Sequence, residues 1–163
     1  MRPPRAILYS LLIFILLSSV YFFYQHRSRS VVGSPPEYVQ LLGGTTTITI
    51  EYARTPDEQL KGLSGRAALP EGNGMLFVFD SLDAHPFWMP DMKFAIDMIW
   101  IGKDKKIVYI KDNATPESYP AVFKSGTPAL YVLEVPSGFA AKSGWIVGTP
   151  LVFTTSTSPH AQQ

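Results

Sequence analysis

The sequence predicts an all-β domain, a sandwich or barrel with one or two short helices, carried behind a single N-terminal transmembrane helix. Three observations lead there. Short apolar runs recur between Gly/Pro turns, and one of them alternates residue by residue, as strands do. Long helical periodicity is absent from the second half of the chain. Residues 6–24, by contrast, hold no charge at all, with Arg2 and Arg5 before them and Arg27 and Arg29 after.

Residues 1–5 read as an N-terminal tail and 6–24 as the anchor. As a helix that run would reach about 28 Å, close to the ~30 Å thickness of a bilayer core. Tyr21 to Tyr24 sit where an aromatic belt belongs. Their bulk leaves no small-x-small cleavage site, so a retained signal-anchor is expected rather than a cleaved signal peptide. The protein is thus expected to be single-pass in the cell membrane, with its C-terminal domain outside the cytoplasm. Residues 25–36, polar and Ser/Pro-containing, form a linker.

The folded part spans 37–154. Thr46, Ile48, Ile50 and Tyr52 alternate with Thr45, Thr47, Thr49 and Glu51, which makes a half-buried strand. Thr55-Pro56-Asp57-Glu58 supplies a helix start, with a Thr cap, Pro in the first turn and Glu to complete the capping box. Ser64-Gly65 ends that helix after barely two turns. Gly72-Asn73-Gly74 turns into Met75 to Phe79, a buried strand. Phe94 to Ile101, Gly102 to Lys105 and Lys106 to Ile110 form a hairpin. Ala129 to Val135 is a further strand, Ser137 to Lys142 a helical turn, and Ile146 to Phe153 a last strand with Pro150 at an edge or bulge. Residues 155–163 read as a disordered tail.

Charge and composition exclude several classes. The whole chain has a formal charge of +1, but beyond Arg29 ten basic residues face thirteen acidic ones, which argues against a nucleic-acid partner. Without cysteine there is no disulfide, thiolate metal site or cysteine nucleophile. His85 is the sole histidine of the β domain, so no metal centre is expected. Hydrolase, kinase and dinucleotide motifs are missing, and no cofactor is expected.

The segment Phe87 to Asp97 concentrates aromatic, methionine and charged side chains: Trp88, Asp91, Lys93 and Asp97 among them. Asp97 interrupts a run otherwise apolar on both faces, and Glu134 interrupts Tyr131 to Val135 in the same way. A buried carboxylate needs a partner. For Asp97, Arg66 and Lys93 are the candidates, Arg66 preferred for its forked guanidinium. Such carboxylates either hold strands in register or belong to a recessed polar site. The three tryptophans are more often core than ligand platform.

Six blocks in order carry a resemblance: Gly62-Leu63-x-x-Arg66, Gly74-Met75-Leu76-Phe77-x-Phe79, Phe87-Trp88-Met89, Ile96-Asp97, Pro116-Glu117-Ser118-Tyr119-Pro120 and Leu133-Glu134-x-x-x-Gly138. Together they resemble domain-of-unknown-function family number 192, an uncharacterised prokaryotic family. The resemblance implies a compact, jelly-roll-like β-sandwich and no established activity. Ser64, Pro90, Ala95, Ser137 and Thr149 depart from the residues usual there.

The function expected is therefore a non-catalytic binding or assembly module of the cell envelope. Its binding surface would include Arg66, Trp88, Asp91, Lys93, Asp97 and Glu134, and its partner would be an envelope glycan or protein. One alternative is a glycan hydrolase or lyase using Asp97 with Glu134, or Asp91, as acid and base. The other is a purely structural accessory domain.

Overall fold

Capping and alternation act locally as the sequence suggests. In a computed structural model of the protein, which describes residues 37–41 and 46–154, strand β2 (Thr47–Ala53) buries Ile48, Ile50 and Ala53 and exposes Thr47 and Glu51. Helix α1 (Pro56–Lys61) opens with a complete capping box. Glu58 N donates to Thr55 Oγ1 at 3.3 Å, and Thr55 N to Glu58 Oε2 at 2.9 Å. Strand β3 (Asn73–Asp83) follows, longer than Met75 to Phe79. The hairpin is β4 (Ile96–Ile101) and β5 (Ile107–Ala114). A 3-10 turn (Pro116–Ser118) precedes β6 (Ala129–Pro136), the single turn α2 (Phe139–Lys142) and β7 (Leu151–Thr154). The first strand, β1 (Glu37–Leu41), is one the sequence reading leaves unassigned.

The strands join in one seven-stranded sheet in the order β5-β4-β6-β3-β2-β1-β7. This corrects the expected two-sheet, jelly-roll-like sandwich: the β class holds, the layering does not. Every neighbouring pair is antiparallel except β2 with β3, which run parallel. The reason lies in the chain between them. Parallel neighbours need a crossover of a dozen or more residues, and α1 with the loop after it provides one. The sheet also curls: Ile107 N donates to Thr149 O (3.0 Å), Gly148 N to Ile107 O (2.7 Å) and Leu151 N to Lys105 O (2.8 Å). The two edge strands thus touch at one end, where Lys106 pairs with Pro150.

Both faces of this sheet are covered. One carries Ile48, Ile50, Leu76, Ile99, Leu133 and Val135 under Phe139 and Trp145. The other carries Met75, Phe77, Met98, Trp100 and Val132 under Leu63 and Met89. Strand β4 is buried along its whole length for that reason, which explains a run that is apolar on both faces except at Asp97. Gly74 is required where β3 and β6 close up, since a Cβ there would lie 3.0 Å from Glu134 O and 3.2 Å from Leu133 Cδ1.

The anchor expected at 6–24, the linker at 25–36 and the tail at 155–163 lie outside the described residues. Among the described residues, no helix is long and apolar enough to cross a membrane.

Candidate functional site

On the face carrying Met75, Phe77 and Met98, an open recess of about 200 Å³ lies between the end of α1, strand β3 and the loop 86–92. Phe77, Phe79, Phe87 and Trp88 bring aromatic rings to it, Leu63 and Met92 add aliphatic wall, and Glu134 lines it from β6. Local bonds set these walls. Gln59 Nε2 donates to Val78 O (2.8 Å), pinning α1 to β3. Ser64 Oγ donates to Pro90 O (3.0 Å) and Gly65 N to Asp91 O (3.0 Å), tying the post-helix loop to 86–92. Phe87 exchanges two backbone bonds with Phe123 (2.8 and 2.7 Å) and sets its ring edge-on to Phe77 at 4.8 Å. Such a ring pair contributes ~0.5–1.5 kcal/mol beyond its buried area. The β3–β6 pairing breaks between Val78 and Asp83, which frees Phe79 to stack on His85 at 3.6 Å.

Glu134 is the buried carboxyl among the polar side chains of this wall. It is 5% exposed, and its Oε2 is buried without a hydrogen-bond partner. Its cross-strand neighbours on either side are Met75 and Met98, which carry no hydrogen-bonding group for it. Burial pushes its carboxyl up to about 8, and the positive charge of Arg66 offsets that only in part. At neutral pH the group is therefore mostly the uncharged acid.

Asp97 is built differently. It is 1% exposed, and its partners are backbone amides. Oδ1 accepts from Asn113 N (2.9 Å) and Gly138 N (3.1 Å), and Oδ2 from Ala140 N (3.0 Å). Gly138, at φ 81°, makes the turn that aims those amides inward. The expected pairing of Asp97 with Arg66 or Lys93 is thus corrected. Arg66 instead grips Glu51 through two bonds of 2.8 and 2.7 Å, and Lys93 is exposed. The guanidinium holds the Glu51 carboxyl below the usual range. Both partners are partly exposed, so Arg66→Ala should cost no more than about 1 kcal/mol in urea unfolding.

Strand register separates the two carboxylates. Asp97 lies opposite Val135, while Glu134 lies opposite Met98. Cross-strand partners share a face and successive residues alternate. Asp97 and Glu134 therefore point to opposite faces of the sheet and cannot flank one substrate bond as acid and base.

Of the other residues singled out in the sequence, Trp88 is 42% exposed at the recess. Asp91 and Lys93 line a shallow depression beside it, sharing Ser64 and Met92 with it. Trp100 and Trp145 are core. Phe79 and Leu63 were not singled out, because only the docking of α1 against β3 makes them a wall. Among the described residues no three His, Cys, Asp or Glu side chains gather as a metal site.

Two solved structures are similar to this chain. A Sinorhizobium meliloti 1021 protein, described as a candidate transcription regulator, is 32% identical with a TM-score of 0.69, over 75% of this chain and 96% of that one. A protein of unknown function from Novosphingobium aromaticivorans DSM 12444 is 33% identical with a TM-score of 0.64, over 72% of this chain and 83% of that one. No curated protein matches. Residues 39–153, nearly all of the folded part, match the family described as DUF192, Uncharacterized ACR, and the chain belongs to that family.

Proposed function

We propose that this protein is a non-catalytic binding module, held at the cell membrane by residues 6–24, that takes a small group of an envelope protein partner into the recess over Glu134. One observation carries the reading: Glu134, whose Oε2 is buried without a hydrogen-bond partner, is among the residues that line an open recess with four aromatic side chains. Unpaired buried polar atoms cost free energy, and a ligand group that meets one recovers it. Trp88 at the mouth, with Asp91 and Lys93 beside it, supplies the amphipathic and charged rim that binding surfaces favour. A glycan fits less well, because two of the recess's polar side chains are already engaged within the protein, Gln59 with Val78 O and Ser64 with Pro90 O, and sugar hydroxyls need several convergent free polar groups. A nucleic-acid partner fits this reading less well, because the acidic residues beyond Arg29 outnumber the basic ones and phosphates favour a basic surface.

Two measurements test this. A fragment mixture screened by ligand-detected NMR against the full chain in detergent should yield binders that Ser64→Phe, which fills the recess, abolishes. Binders unaffected by that change would place the site elsewhere, and an absence of binders would overturn the binding reading. The anchor and its orientation are tested separately. Protease added to spheroplasts should digest the domain, and its survival beside a digested external control would reverse the topology.

A further inference from the structure

We infer that the group bound over Glu134 is an alkylammonium cation, such as a lysine side chain of the partner. The inference rests on the recess being the binding site, as proposed above. It begins from what faces Glu134. Met75 and Met98 flank it on β3 and β4 and carry no charge. Arg66 acts on it only at range, since both its guanidinium arms are engaged by Glu51. Lys61 lines the recess, is exposed, and acts on Glu51. None of these closes on Oε2, which has no hydrogen-bond partner.

An ammonium group is the chemistry that completes such a place. It donates to the unpartnered carboxylate oxygen once the side chain turns toward the recess it lines, and ring walls attract a cation lying over their faces. A neutral hydroxyl could meet the carboxyl too, but it would draw nothing from its charge or from the rings. Size agrees. A cavity of ~150 Å³ holds one benzene-sized group, and this recess of about 200 Å³ takes a short alkyl chain with its head group.

Cation binding must ionise the acid, and this gives the inference a signature. With the free carboxyl at about 8, about nine-tenths of a proton leaves on binding at pH 7. Apparent affinity then rises roughly tenfold per pH unit below pH 8.

The test is calorimetric titration of the full chain in detergent with n-pentylammonium and, as the neutral counterpart, 1-pentanol. Two buffers of different protonation enthalpy report the proton. Pentylammonium should bind with proton release, more tightly at pH 8 than at pH 6, and at least about tenfold more weakly to Glu134→Gln. The variant is nearly isosteric, and its far-UV spectrum checks the fold. Equal binding of pentanol, or pentylammonium binding that ignores Glu134→Gln, overturns the cation while leaving the recess as a site. If neither probe binds although the NMR fragments do, the cation is wrong alone. If nothing binds, both readings fail.

Discussion

Replacing Asp97 with alanine is expected to lower the unfolding free energy by about 3–5 kcal/mol. The melting temperature should fall by roughly 10–20 °C for a domain of this size. The size of the effect follows from what the carboxylate does. It accepts from Asn113 N, Gly138 N and Ala140 N at 2.9–3.1 Å, so one side chain fastens β4 to the end of β5 and to the first turn of α2. Removing it strands these amides beside a carboxylate-sized hole, and each orphaned donor keeps its desolvation cost. The turn matters beyond Asp97, because α2 sets Phe139 and Trp145, 5.3 Å apart, over one face of the sheet. Asp97→Asn retains one acceptor oxygen and should lose about half as much. Thermal and urea unfolding check the series, and a change within 2 °C for Asp97→Ala would remove the carboxylate from this role. The binding proposed above should be unchanged in the fraction that stays folded, because Asp97 faces the side of the sheet opposite Glu134.

The second large effect has the opposite sign. Glu134→Gln is expected to stabilise the protein above pH 8 and to do little at pH 4. The carboxyl is raised from 4.5 to about 8 by burial, so the folded chain holds a proton that the unfolded chain releases. Stability from this group is complete below pH 4.5, falls as pH rises from there, and levels off above pH 8. At about 1.4 kcal/mol per unit the full drop has a ceiling near ~5 kcal/mol, and relaxation or water entry reduces it. Glutamine cannot ionise, so its profile lacks this slope. Urea unfolding of both proteins from pH 4 to pH 9 reads the difference directly. Parallel profiles would mean that Glu134 is solvated or paired in solution, which would also remove the basis of the ligand site.

Asp97 and Glu134 look alike in the sequence, each a lone carboxylate within an apolar strand, and both are indeed buried. Their roles differ because one meets backbone amides from a turn 41 to 43 residues away in the chain while the other meets only methionines and an open recess. Arg66 illustrates the same limit. Its fork suits a carboxylate, but which carboxylate depends on where the loop after α1 crosses β2, which brings Arg66 to Glu51, fifteen residues away in the chain. Trp88 was legible as part of an unusual segment. Phe79 and Leu63 were not, because nothing in an apolar residue says which other apolar residue it will face.

Taken alone, the sequence determined the β class, the capped helix after Thr55, the two buried carboxylates and the family blocks. It also determined the uncharged run at 6–24. All of these follow from periodicity, caps and composition within a few neighbouring residues. Only the tertiary structure decided that seven strands make one curled, mixed sheet, that Asp97 and Glu134 face apart, and that Arg66 takes Glu51. Those outcomes depend on which distant strands lie side by side and in what register, and a one-residue shift of register would turn each side chain to the other face.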